Sequence, residues 1–331
     1  MLRKFAAAIT AVSIAGTAVQ AGALQDDIPE LATGAASSVV AAPEAPAKPR
    51  RHKLGSGVFF GNDFLGDNKD RWRTGSIGGS YVRGYDWTGV APASFGDLIE
   101  YRFLAQAIAP DDLASFDPTD RPYAGAISFG VHSHVNRGGY EIALGGDLVF
   151  IGPQSGIDGL HKDLHHLFGS EQPSEAVLDN QISNTIRPTA VAEVGRSYDL
   201  GGMTTLRPFV EARAGDETLI RVGADLMIGP AGRGELLVRD PITGHRYRVI
   251  RAEQRGFSFT LGGDIAYVAD SVYLPSSRGY DLSNHRDRLR AGVHWQGRRA
   301  GVFFGLAYLG EEFEAQSEGQ TVGLMQIKLT F

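Results

Sequence analysis

The sequence predicts an all-β fold: a transmembrane antiparallel β-barrel of about twelve strands, with a short helix in one long extracellular loop. Three observations carry this. The run 323–331 alternates, with Gly323, Met325, Ile327, Leu329 and Phe331 on one face and Leu324, Gln326, Lys328 and Thr330 on the other. That period of two belongs to a strand. After the N-terminal stretch no segment reaches the ~18 consecutive apolar residues of a membrane-spanning helix. Yet 43 glycines and 43% hydrophobic residues fit many strands joined by close turns.

The elements follow in order. Arg3 and Lys4 precede the apolar stretch 5–19, and Val19-Gln20-Ala21 follows as a small-residue site with cleavage expected after Ala21 or Ala23. Residues 1–23 therefore read as a secretory signal peptide. Losing those two positive charges moves the formal charge from −6 to −8. A mildly acidic mature chain argues against a nucleic-acid partner. The absence of cysteine excludes disulfides and thiol chemistry. Residues 24–53, rich in Ala and Pro, have little with which to pack a core and are expected to be a disordered periplasmic lead-in.

The barrel is expected over 54–331. A membrane strand needs ~9–11 residues, apolar toward lipid and mixed toward the lumen. Twelve candidates qualify: 54–65, 73–85, 97–107, 122–135, 139–151, 185–199, 204–214, 217–229, 256–268, 286–297, 300–310 and 319–331. In the fourth, Tyr123, Ile127, Phe129 and Val131 oppose Ser128, His132 and His134. In the fifth, Tyr140, Ile142, Leu144, Leu148 and Phe150 oppose Glu141 and Asp147. In the eighth, Ile220, Val222, Ala224, Leu226 and Ile228 oppose Arg221 and Asp225. An even count places both termini in the periplasm, so outer loops follow the odd strands. The largest is 152–184, where 157–168 is the best helix candidate. The segment 230–255 breaks the pattern as a long periplasmic connection. The aromatic Phe331 closing the last strand resembles the assembly signal of bacterial outer-membrane barrels.

This topology brings several polar clusters to the outer rim. Asn62-Asp63 closes strand 1 and Thr74 opens strand 2. The run 120–125 (Asp-Arg-Pro-Tyr-Ala-Gly) opens strand 4, and His165 and Glu171 lie on and just past the loop helix. Asn62 offers a hard amide oxygen suited to Ca²⁺; Asp63, on the strand face of Gly55, Gly57, Phe59 and Gly61, reads as a turn cap or a ligand. The acidic run 67–70 lacks the spacing and glycine of an EF-hand and reads as an exposed loop. His161 and His165, four apart on a helix, can share a zinc ion, but Lys162 stands where a zinc-protease motif has glutamate, which disfavours zinc hydrolysis. His165 as a general base fits better. Glu171 is a metal carboxylate or a loop charge. His132 and His134, with Glu141, Asp147 and Glu193, read as lumen packing. No Gly-x-Ser-x-Gly elbow is present. A His-activated water with a cation at the carbonyl oxygen is the chemistry this inventory permits.

Taken in order, Asn62-Asp63, Thr74-Gly75, 120–125, 151–153, His165 through Glu171 and 180–184 resemble the outer-membrane lipid A 3′-O-deacylases over nearly all of the chain after Lys53. The resemblance implies a bacterial outer-membrane hydrolase that removes the 3′-linked acyloxyacyl ester of lipid A, with Ca²⁺ as cofactor. His165 would activate water; Asn62, Asp63 and Glu171 would hold the ion; Thr74 would complete the site by hydrogen bonding. The implied partners are the lipopolysaccharide substrate, outer-membrane lipid, and periplasmic chaperones with the barrel-assembly machinery, around a monomer. One departure stands. The family carries a lysine in the second outer loop, but 109–120 contains neither Lys nor Arg. Arg71, Arg73 and Arg121 are the candidate substitutes. The competing readings are a passive porin or structural barrel, and an outer-membrane phospholipase or inactive relative. A lumen closed by side chains such as Arg207, Glu211 and Arg213 would oppose the porin.

Overall fold

The computed structural model describes residues 50–329. The expected signal peptide, the expected lead-in up to residue 49, and Phe331 lie outside the described residues. Twelve long strands form an antiparallel barrel: β1 (His52–Asn62), β2 (Trp72–Gly84), β3 (Leu98–Ala109), β4 (Ala124–Arg137), β5 (Tyr140–Ile151), β6 (Thr185–Arg196), β8 (Thr204–Ala214), β9 (Glu217–Ile228), β12 (Gly256–Ser271), β13 (His285–Gln296), β14 (Ala300–Leu309) and β15 (Gln320–Leu329). The short β7 (Tyr198–Gly201) extends the turn between β6 and β8, while β10 (Leu236–Arg239) and β11 (Arg246–Ile250) pair as a separate hairpin. The wall closes twice: β6 pairs with β8, and β15 pairs with β1 through Phe60–Met325, Gly61–Leu324 and Asn62–Gly323. Helices α1 (Ile157–Phe168) and α2 (Glu175–Asp179) lie in the loop between β5 and β6.

The two-residue alternation read from the sequence sets the faces. Phe129, Val131, Leu144, Leu148, Ile220 and Val222 are exposed on the outside, where lipid covers them, while His132, His134, Asp147, Arg221 and Asp225 are buried inside. No helix among the described residues is long and apolar enough to cross a membrane.

The connection that looked too long for the periplasmic side has a physical answer. Residues 230–255 fold into the lumen as a plug around the β10–β11 hairpin. Tyr247 packs on Phe59, with ring centroids 4.7 Å apart, and its hydroxyl lies 2.5 Å from that of Ser80. The approach is so close that a Cβ on Gly57 would sit 2.3 Å from the Arg248 carbonyl oxygen. The glycines of β1 therefore make room for the plug. Arg239 bridges it to the wall, 2.7 Å from Glu193 and 2.9 Å from Asp225. A cavity of about 360 Å³ remains beside the plug, lined by Arg102, His134, Glu141, Arg207 and Arg213 among others. Plug and ion pairs occupy the space that a passive pore would need.

Asp264 ties this interior together. It accepts both branches of the Arg288 guanidinium at 2.9 and 3.1 Å, and pairs with Arg221 at 3.0 Å and with Arg290. Arg288 in turn donates to the Pro241 and Ile242 carbonyls in the plug turn, at 2.7 and 3.0 Å. Asp264→Ala leaves three guanidiniums crowded without their shared anion. It should cost about 3–5 kcal/mol, as removal of one partner from a buried ion pair does. A urea titration of the refolded barrel, read by its heat-modifiable gel mobility, measures this.

Candidate active site

The site is built where β1 ends. Asn62 caps a 3₁₀ turn at 63–65: its Oδ1 accepts from the Phe64 N–H at 2.8 Å. Its amide Nδ2 donates to the Thr74 carbonyl at 2.7 Å, stapling the ends of β1 and β2. Asp63 is 1% exposed, and its carboxylate accepts the Arg71 N–H at 2.8 Å. Burial first, then the neighbouring charges of Asp70 and Asp67, push this carboxyl up to about 8.

Residues 66–71 return the chain to β2 under visible constraint. The Asp63 carbonyl accepts from the Gly66 and Asn68 N–H groups, and Asp67 exchanges two hydrogen bonds with Thr321, one through its backbone and one through its carboxylate. Asn68, Asp70 and Trp72 all take left-handed backbone angles, with φ of 59°, 56° and 51°. Asn and Asp tolerate that region; a bulky Trp does so only when its surroundings impose it. The outcome is that Asp70 is held at the centre of the site. Its carboxylate accepts the Thr74 hydroxyl at 2.6 Å, and its second oxygen lies 3.3 Å from His165 Nε2.

His165 arrives on α1. Gly156 and Gly169 bracket that helix in left-handed conformations. Ile157 packs on Ala105 and Ala107 beside Ile77, Phe103 and Ile127, and a Cβ on Gly125 would lie 2.6 Å from the Ile157 Cβ. Those wall residues share the outward face with Tyr101 and Phe129. Helix α1 therefore lies against the outside of the barrel at its rim. His161 and His165 turn toward the wall, whereas His166 is exposed and Leu160, Leu164 and Leu167 are 50%, 37% and 58% exposed in an i, i+4, i+7 stripe.

The ring nitrogens of His165 have distinct settings. Nδ1 donates to the Glu171 backbone carbonyl. This assignment follows from the carbonyl being an acceptor only, and it leaves Nε2 as the basic nitrogen, facing Asp70. Beside this ring, His161 is buried, with ring centroids 4.0 Å apart and its Nδ1 at 3.1 Å from the Tyr123 hydroxyl. Burial and the neighbouring His165 hold His161 down to about 4.

The sequence-predicted residues thus meet unequally. Asn62 and Thr74 join directly, Asp63 lies buried next to them, and His165 reaches Thr74 through Asp70. Glu171 enters through its backbone; its side chain is exposed. Asp70, read from the sequence as part of an exposed loop, is the junction of the network. The one signal for it was its place four residues before Thr74, in a loop short enough to return it to the rim. The candidate arginines are spent internally. Arg73 and Arg121 are both buried on Glu312, and Arg71 is buried between Asp111 and Glu318 while stacking 3.9 Å over the Trp72 ring. Lys69, in the same loop as Asp70, is the exposed cation here, 2.5 Å from Glu318.

A family model described as outer membrane protein LpxR matches residues 31–331. Among solved structures, LpxR from Salmonella typhimurium aligns over 84% of this chain and 100% of its own, with a TM-score of 0.69 at 17% identity. At that identity the likeness establishes the fold. The NanC porin aligns over 84% of this chain and 100% of its own at a TM-score of 0.39 and 6% identity. The beta domain of the Bordetella autotransporter BrkA covers 84% and 99%, at 0.41 and 12%. No curated protein matches the chain.

Proposed function

We propose that this chain, which belongs to the outer membrane protein LpxR family, is a lipid A deacylase that hydrolyses the 3′-linked acyloxyacyl ester in the outer leaflet. The observation that carries the reading is the location of its base. His165 Nε2, Asp70 and Thr74 sit at a seam between the outward barrel wall and α1, beside the helix's apolar stripe. A lipid in the outer leaflet reaches that seam sideways, with its chains against Leu160, Leu164 and Leu167 and its sugar at the rim. A porin has no use for a buried catalytic-type network facing lipid, and its lumen would not be plugged.

The residues divide the work. A water at Nε2 gives up a proton as its oxygen attacks the ester carbonyl carbon. The Glu171 carbonyl holds Nδ1–H and so fixes the tautomer that can accept this proton. The Asp70 carboxylate is placed to stabilise the imidazolium that forms, and Thr74 anchors Asp70. The imidazolium then returns the proton to the departing sugar oxygen, so that ester and water become acid and alcohol. A positioned base of this kind is worth ~10²–10⁴-fold.

Calcium fits the donor set. Asn62 Oδ1 and the carboxylates of Asp63 and Glu171 are hard oxygens. A buried Asp63 crowded by Asp67 and Asp70 is a carboxyl that ionises readily only beside a cation. A bound Ca²⁺ would polarise the ester carbonyl and stabilise negative charge on its oxygen. Lys69 is the residue suited to a phosphate of the substrate, taking the part of the missing second-loop lysine. The remaining partners follow from the location: outer-membrane lipid around a monomeric barrel, delivered by periplasmic chaperones and the barrel-assembly machinery.

Mass spectrometry of lipid A tests the reading. Outer membranes containing the protein should yield lipid A lighter by one acyloxyacyl unit with calcium present. Chelation with EGTA should stop the change, and restored calcium should resume it. Fatty-acid release from phospholipid, with lipid A intact, would make the protein a phospholipase instead. No product from either lipid in calcium defeats the ester-hydrolase reading.

A further inference from the structure

The side chains of His161, His165 and Asp70 offer three ligand atoms that all lie within 4.8 Å of one another. We propose that they form a binding site for a borderline transition-metal ion of the Zn²⁺ class, and that such an ion shuts off the base. The catalytic half of this inference rests on the ester-hydrolase reading; the binding half does not.

Three features go beyond mere proximity. The histidines are spaced i, i+4 on α1, so both rings project from one face toward one point. Each ring is tethered at its other nitrogen, His165 Nδ1 by the Glu171 carbonyl and His161 Nδ1 by the Tyr123 hydroxyl. Both Nε2 atoms are thereby aimed inward, and such outer partners orient metal-binding histidines generally. Asp70 is in turn fixed by Thr74 at 2.6 Å. An ion with ligands at about 2.0–2.2 Å would draw these atoms together from separations of up to 4.8 Å.

The ligand type sets the selectivity. Two imidazoles and one carboxylate suit Zn²⁺, Co²⁺ or Cu²⁺, whereas Ca²⁺ takes oxygen donors. The two classes of ion therefore address different residues of one site: calcium the Asn62–Asp63 side, zinc the α1 side. An ion on His165 Nε2 occupies the lone pair that would take the proton from water. It also engages Asp70, the carboxylate that would stabilise the imidazolium. Zinc should act as an inhibitor even at saturating calcium.

The test uses the whole barrel refolded in detergent, with Co²⁺ as a spectroscopic probe and Zn²⁺ as competitor. The expected result is one Co²⁺ per chain, a visible ligand-field band of histidine coordination, and displacement by Zn²⁺ but not by Ca²⁺. His161→Gln keeps a polar group near Tyr123 and removes the second imidazole. It should weaken Co²⁺ binding by more than the ~10- to 100-fold that loss of an outer partner costs, with heat-modifiable mobility intact. In the lipid A assay with calcium, micromolar Zn²⁺ should silence the wild type and leave the rate of His161→Gln, whatever its value, unchanged. Absence of the band, or an unchanged Co²⁺ affinity in a folded His161→Gln barrel, overturns the site even if the protein deacylates lipid A. A band in a protein that cleaves no ester leaves the metal site standing and removes the function reading instead.

Discussion

His165→Ala should leave the barrel folded and abolish the lipid A mass change. The imidazole is the group that takes the proton from water and returns it in the proposed mechanism, and its loss removes both the base and the acid of the two half-steps. The expected fall is at least ~10²–10⁴-fold, the range for a positioned general base. The substitution truncates a side chain on α1 whose packing on the wall runs through Ile157, so the helix should stay docked. Heat-modifiable mobility equal to wild type confirms that the wall is closed. Retention of wild-type deacylation by the folded variant would remove His165 from the chemistry and the proposed mechanism with it.

Much of this architecture was legible in the residues, for a physical reason. A lipid-embedded wall allows one pattern, apolar outward and polar inward with a period of two, so each strand declares itself and its register. The helix at 157–168 was equally plain, since Gly156 and Gly169 bracket it and its apolar residues recur at helical spacing. The segment 230–255 was not legible. Its alternation serves a hairpin that packs inside a polar lumen, where hydrophobic Tyr247 and Val249 and ionic Arg239 are all interior, and no single-sequence pattern separates that from a periplasmic loop. The side of the barrel on which α1 lies was hidden as well. It depends on Gly125 clearing space for Ile157, a relation between residues 32 apart.

The site divides in the same way. Asn62, Thr74 and His165 stand at strand ends or on a helix, where topology alone brings them to one rim. Asp70 sits in a run of charged and amide residues that solvent would suit, and its role comes from backbone angles that only the folded loop reveals. Glu171 shows the converse. The sequence offers a carboxylate, and the fold uses its backbone carbonyl to hold His165, while the side chain remains exposed for the ligand role proposed above.

Asp70→Asn is the variant on which the loop reading rests. An asparagine can keep the hydrogen bond from Thr74 through its amide oxygen, so the geometry of residues 66–74 should survive while the negative charge disappears. The charge matters once the proton has reached His165, so the loss should fall on kcat, and by less than the ~10⁴-fold seen where the lost carboxylate also sets the tautomer, because the Glu171 carbonyl sets it here. KM should change little, because Asp70 faces the histidine and the threonine and makes no claim on the lipid chains. Thr74→Val is the companion: it removes the anchoring hydroxyl but keeps the charge, and its effect on kcat should be smaller. A folded Asp70→Asn barrel with wild-type kcat would return residues 67–70 to the exposed loop that the sequence suggested. If KM rises while kcat holds, Asp70 serves substrate or calcium binding and the imidazolium needs another partner. The rank order in kcat, wild type above Thr74→Val above Asp70→Asn above His165→Ala, is what a relay running from Thr74 through Asp70 to His165 requires.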